Sequence, residues 1–227
     1  MMLLRFSRIA SHILWGVVMV FFSGCSYQKT SASAPLENLP LTDQIFNAKY
    51  SYTAPPDVTY SHDGLSFIIQ GNIAYLSGVL GANSSRELKE MIQQYPNVST
   101  LALVDIRGSL DQQETIKTAR LIRRLELDTM IVRTGFVVSG GVDLFLGGVD
   151  RTIESGAGVG IHSWFDTMGV NPQELNLSDP IHAAYVNFYL EMGIPERFYW
   201  FSLTASPPER VYFLSPEEIY DFSLVTF

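Results

Sequence analysis

Ser139 stands in a glycine-rich run, Gly135-Phe-Val-Val-Ser139-Gly140-Gly141-Val-Asp-Leu-Phe-Leu-Gly147-Gly148, and 23 residues after it the chain reads Gly160-Ile161-His162-Ser163-Trp164. Glycines around a serine that separates a β-prone run from a helix-prone one mark a tight strand-to-helix turn. Backbone N–H groups are unpaired there and the helix dipole is positive, so the hydroxyl is accessible and negative charge developing beside it is stabilised. To become a nucleophile near neutral pH that hydroxyl needs a base, and imidazole is the usual one. His162 follows the apolar run Gly158–Ile161, the end of a strand from which a ring can reach a neighbouring turn. The pair points to acyl transfer through a serine. Each residue alone also fits a plainer role, a helix cap for the serine and a hydrogen-bonded structural residue for the histidine.

Other chemistry-bearing residues read as structural. Asp143, four residues after Ser139, is a partner for the helix dipole. His182, near a helix start at Pro180, is packed or solvated, and His62, in a turn with Asp63 and Gly64, is solvated. No metal is expected, because the chain has no HExxH, no cysteine cluster and no pair of histidines at ligand spacing. Gly156-Ala-Gly158-Val-Gly160 leads into a strand rather than a helix, so it is no nucleotide loop, and no cofactor is expected.

The elements that must position these residues follow from hydrophobic periodicity. Leu65–Ile69 and Ile73–Val79 read as a hairpin across Gln70-Gly71-Asn72. Ser84, with Glu87 three residues on, reads as a capping box before a helix carrying Leu88, Met91 and Ile92. Thr100–Ile106 is a continuous apolar strand, Glu114–Leu125 a helix with Ile116, Ala119, Leu121, Ile122 and Leu125 on its buried side, and Thr129–Val132 a further strand. Toward the end come a helix over Pro180–Met192, a strand over Arg210–Leu214 and a capped helix start at Ser215-Pro216-Glu217-Glu218. Strands alternating with helices across short connections predict an α/β domain with a mainly parallel sheet flanked by helices.

Composition bounds the partners. The 227 residues carry 15 basic and 23 acidic side chains, 47% hydrophobic and 17% charged, enough apolar material for one sizeable core. Without Arg5 and Arg8 the balance is 13 against 23, which excludes a nucleic-acid backbone as partner. Arg5 and Arg8 precede the ten apolar residues Ile13–Phe22, the length of a signal-peptide core and too short to span a bilayer. The run ends Phe22-Ser23-Gly24-Cys25, which resembles a lipobox, and Cys25 is the only cysteine. The expected organisation is a lipoprotein signal peptide over 1–24, a Ser/Thr/Ala/Pro-rich tether over 25–61 beginning at a lipidated Cys25, and a domain over 62–227. That places the protein in the cell envelope, facing the periplasm. Ser26, where aspartate would signal retention at the inner membrane, favours the outer one by resemblance.

The order and spacing of these motifs resemble the Clp-protease and crotonase superfamily, in particular its exported branch of Clp-like serine proteases. Leu101-Ala-Leu-Val104 runs into Asp105-Ile-Arg-Gly108-Ser109, where the family has a Ser-Pro-Gly-Gly-Ser turn and then a helix. Gly135 precedes Ser139 as a glycine precedes the family's nucleophile, Gly-Gly-Val-Asp-Arg151 matches its Gly-x-x-Arg, and Gly160-Ile161-His162 stands where its catalytic histidine stands. Phe213-Leu214-Ser215 with Glu217, Glu218 and Ile219 resembles its closing strand and helix, so the likeness runs from Ile73 to Thr226.

The resemblance implies a ClpP/crotonase-like fold of repeated ββα units, Ser139 as nucleophile, His162 as general base, and the N–H groups of Gly108 and Gly140 as oxyanion hole. It also implies a homo-oligomer, and the aromatic-rich C-terminal region, Trp164, Tyr189 and Phe198–Phe201, reads as core or as the kind of subunit contact such families build. Two positions depart from the family. Arg107 replaces the first glycine of its turn, where it either displaces the hole or adds an anion contact. The family's aspartate before the closing strand is absent from Thr204-Ala-Ser-Pro-Pro208, so His162 is left to Ser206, to Thr204, to a backbone carbonyl or to a carboxylate from elsewhere, of which Glu209 is nearest in sequence and reads as a surface residue. The expected function is an envelope serine hydrolase, peptidase-like, acting on short peptides, unfolded segments or small esters. The alternative is a non-catalytic binding or scaffold lipoprotein that keeps the fold. A crotonase-like acyl-CoA enzyme needs an acid at its site and a cytosolic cofactor, and the export signal argues against it.

Overall fold

The computed structural model describes residues 64–164 and 170–226, so the signal peptide, Cys25, the tether and His62 lie outside the described residues. Runs of apolar and β-branched residues form seven strands: β1 (Leu65–Gln70), β2 (Ile73–Leu80), β3 (Thr100–Ser109), β4 (Asp128–Val138), β5 (Arg151–Ile153), β6 (Gly158–Ile161) and β7 (Tyr212–Phe213). Six helices lie between and after them: α1 (Ser84–Gln94), α2 (Gln112–Arg124), α3 (Gly140–Leu146), α4 (Pro180–Glu191), α5 (Glu196–Ala205) and α6 (Pro216–Asp221). The sheet order is β1-β2-β3-β4-β6-β7, with β5 also on β4. Pairing is antiparallel only at the ends, β1 with β2 and β6 with β7. The expected α/β architecture with a mainly parallel sheet flanked by helices is what the chain adopts.

The centre of the sheet sets the site. β3 buries Leu101, Ala102, Leu103 and Ile106 completely, as a strand covered on both faces must. β4 runs to Val138 rather than stopping at Val132: its register against β3 jumps between Leu103 paired with Ile131 and Asp105 paired with Phe136. That bulge holds the polar Arg133-Thr134 that broke the apolar pattern. Along its other edge β4 pairs first with β5, through Thr129–Ile131, and then with β6, through Phe136–Val138.

One further expectation is corrected. Asn83, not Ser84, caps α1 and makes no side-chain cap bond. Glu87 does not close a capping box; its carboxylate accepts from the Leu65 N–H at 3.0 Å and ties α1 to the start of β1. The aromatic stretch after Pro195 is helix α5, and of its two readings Phe198 and Tyr199 follow the core one, each 1% exposed. Ser215 and Glu218 do form the expected capping box on α6.

All seven residues of α3 are buried, so its C-terminal carbonyls need partners inside the protein. Two arginines supply them. Arg123 donates to Leu146 O at 3.0 Å and Gly147 O at 3.1 Å. Arg151 donates to Gly148 O, Met192 O, Ser223 O and Leu224 O at 2.8–3.3 Å, joining the end of α3 to α4 and the C-terminal segment. Burial, then the charge of Arg123, pushes the Arg151 guanidinium down to about 10, with Asp150 opposing. It remains charged at neutral pH and matches the negative end of the helix dipole. Arg151→Met should strand four carbonyls and lower unfolding free energy by about 3 kcal/mol or more, with Arg151→Lys recovering only part because ammonium offers fewer donors. Denaturant unfolding of the purified protein measures both.

Candidate active site

Three neighbouring parallel strands deliver the sequence-predicted residues to one edge of the sheet, the carboxyl end, where open α/β sheets bind ligands. β3 ends at Gly108-Ser109, β4 runs into Ser139, and β6 runs into His162. The Ser139 N–H donates to Gly160 O at 2.9 Å, locking the serine turn beside the strand that carries the histidine. Ser139 itself has φ 57° and ψ −127°. A non-glycine residue at positive φ is strained, and a serine held so at a sharp strand-to-helix turn is the geometry that presents a nucleophile. Its side chain makes no cap bond to α3, so the hydroxyl is not spent on the helix.

Two glycines at the turn have separate reasons, a positive φ at Gly108 and close packing at Gly141. A Cβ on Gly108, at φ 153°, would lie 3.8 Å from the Ser139 Cβ, which puts the predicted oxyanion residue directly beside the serine. A Cβ on Gly141 would come within 2.5 Å of Ile106 O, so only glycine lets α3 sit against β3. Gly140, the other predicted oxyanion residue, opens α3 immediately after Ser139.

Ser139 and His162 line one cleft with Gln112, Val142, Asp143, Ile161, Trp164, Tyr185, Tyr189, Phe198, Tyr199 and Ser202. The His162 Nδ1 lies 2.7 Å from the carbonyl oxygen of Ser163. A carbonyl only accepts, so Nδ1 carries the proton and Nε2 is the basic nitrogen. Burial lowers the ring's pKa from 6.5, against the Ser163 bond and the charge of Glu209, so the ring is neutral at pH 7. Of the candidates for orienting it, then, the backbone carbonyl holds Nδ1. Ser206 is buried, its own carbonyl accepting from the Ser163 N–H at 2.8 Å and its Oγ without a partner among the described residues. Thr204 Oγ1 bonds back to its own helix, and Glu209 is exposed and acts on the ring through its charge. Arg107 is 3% exposed, with Nε 2.9 Å from the Asp105 carboxylate and its guanidinium over the Phe136 ring.

Sequence reasoning undervalued Asp143. It is 6% exposed; Oδ2 accepts from Gln112 Nε2 at 2.7 Å and Oδ1 from Tyr189 O–H at 2.8 Å. Burial pushes its carboxyl up to about 6, with the two hydrogen bonds partly offsetting. The available signal was composition: it is the only charged residue in an otherwise apolar, fully buried helix. His182, packed as one of its two readings had it, is 2% exposed with Nδ1 2.7 Å from the Tyr199 hydroxyl.

The Asp143 carboxyl titrates near 3.8 in the unfolded chain and about 6 in the folded one, so across that window the folded protein binds more protons. Stability from this group is present below about 3.8 and lost as pH rises to about 6. Asp143→Asn should therefore be more stable than wild type above pH 6, by on the order of 2–3 kcal/mol, with the two converging near pH 4. Thermal unfolding at several pH values checks this.

No family model and no curated protein matches the sequence. Among solved structures the chain is similar to the membrane-bound stomatin-specific protease 1510-N in a serine-to-alanine form, at 12% identity and TM-score 0.45, over 70% of this chain and 80% of that one. A lysine-to-alanine form of the same protease, in complex with a substrate peptide, gives 13% identity and TM-score 0.44 over 70% and 75%. An enoyl-CoA hydratase from Mycobacterium avium subsp. paratuberculosis gives 14% and 0.47 over 72% and 70%.

Proposed function

We propose that the protein is a serine hydrolase with Ser139 as nucleophile, His162 as general base, and peptides or small esters as substrates. The observation that carries this reading is Ser139 held at positive φ with its hydroxyl uncommitted, in the same cleft as a neutral His162 whose proton sits on Nδ1. As Oγ attacks the acyl carbonyl, Nε2 takes its proton, and the oxyanion that forms is met by the N–H groups of Gly108 and Gly140. The imidazolium then protonates the leaving amine or alcohol as the acyl bond breaks. Water repeats the sequence to release the acid.

Ser139→Ala and His162→Ala should each abolish labelling by a fluorophosphonate probe and hydrolysis of activated esters, and the double variant should lose no more than either alone. The acid limb of the rate profile should fall below pH 6.5, because burial depresses the imidazole and only its neutral form accepts the proton. Wild-type protein that neither labels nor hydrolyses would overturn the reading in favour of a non-catalytic binding protein. A second reading has Asp143 in its favour: a cleft carboxyl titrating at about 6 is the acid that crotonase-like proton transfer on an acyl thioester requires. Under that reading Asp143→Asn is inactive and Ser139→Ala is spared.

The same proposal includes the envelope lipoprotein, anchored at Cys25. Cys25→Ser should lose incorporation of a metabolic lipid label and leave the membrane fraction; unchanged labelling would overturn the anchor. Self-association also belongs to it, with apolar side chains exposed at Leu177, Ile181 and Leu190 and with Trp200 and Phe201 only partly buried.

A further inference from the structure

The cleft beside Ser139 combines one negative charge with aromatic walls. Trp164, Tyr185 and Tyr199 stack in sequence, Trp164 on Tyr185 with centroids 5.9 Å apart and planes at 13°, Tyr185 on Tyr199 at 5.3 Å and 14°. Within these walls Asp143 receives hydrogen bonds only from uncharged donors, an amide and a phenol. Among the described residues no lysine or arginine pairs with it. Each carboxylate oxygen has two lone pairs, so each keeps acceptor capacity after those bonds. The lining group that could become cationic, His162, is held neutral by burial. Burial and the Asp143 charge keep the Tyr185 and Tyr189 phenols protonated, and Tyr199 is pushed up to about 12. At neutral pH the cleft therefore holds a carboxylate that no cation among the described residues neutralises. A buried charge without a counterion is costly, and aromatic rings attract the ligand class that would relieve it.

We propose that this cleft selects acyl substrates bearing a primary ammonium group, which would sit on Asp143 among the rings of Trp164, Tyr185 and Tyr199. The inference rests on the reading of this cleft as the substrate site. The same charge repels carboxylate- and phosphate-bearing substrates, which sets it against acyl-CoA. The cleft is small, with a cavity volume of about 40 Å³ and a mouth open to solvent, room for an ammonium head group with the rest of the substrate lying at the mouth.

The test is a titration of the full chain at pH 8 with n-butylammonium, 1-butanol and butyrate, three probes of similar size, followed by tryptophan fluorescence. The ammonium should bind about tenfold or more tighter than either of the others, and Asp143→Asn should remove that preference. Equal affinity for the three probes, no binding of any, or a preference that survives in a folded Asp143→Asn would overturn the proposal. The wild-type comparison decides the matter even if the variant fails to fold. Ammonium preference without fluorophosphonate labelling would sustain this pocket and remove the serine chemistry; labelling without the preference would do the reverse.

Discussion

The seating of α3 governs the rest of the domain. A seven-residue helix with no exposed residue can be stable only if both of its ends are satisfied from within. Arg123 and Arg151 do this at the C-terminal end, and in doing so Arg151 also fixes α4 and the segment around Leu224. With the far end clamped and Gly141 pressed against Ile106 O, the near end has little freedom, and Ser139 is held in a backbone conformation it would not choose. Strain at a single residue persists only where the surroundings over-determine it. The arginine contacts and the serine geometry are thus two ends of one mechanical arrangement.

Burial acts on the two titratable groups of the cleft in opposite senses, keeping His162 deprotonated and favouring the protonated form of Asp143. Both effects come from the same apolar walls, contributed by β6, α4 and α5. A site that holds a neutral base beside an acid titrating at about 6 spends folding stability on chemistry. The large buried aromatics behind it, Phe145, Phe188, Phe198 and Tyr199, contribute the apolar burial that offsets such costs.

Much of this was legible in the sequence wherever local pattern and tertiary environment agree. β3 and β6 are continuous apolar runs, α2 has a clean 3.6-residue period, and α6 carries its capping box in four consecutive residues. Ser139 and His162 were each placed at the end of a β-prone run, and Gly108 was joined to them through the family resemblance. The rest depended on contacts remote in sequence. Arg133-Thr134 looks like the end of β4 because only its bulge against β3 lets the strand absorb them. Glu87 looks like a capping residue because nothing local announces the Leu65 N–H, 22 residues away. Asp143 sits where a dipole partner belongs, and its meaning depends on Gln112 and Tyr189, contributed by α2 and α4.

The acceptor behind His162 is a main-chain carbonyl, that of Ser163, rather than a side-chain carboxylate. Every residue type has such a carbonyl, so an alanine scan through this segment would pass over the acceptor without deleting it, and a comparison of side chains alone would count the constellation as one member short. An uncharged dipole fixes ring orientation and tautomer as a carboxylate does, but it stabilises a transient imidazolium less. It also never titrates. The histidine's alignment is therefore insensitive to acidity, and only the occupancy of its own nitrogen changes with pH.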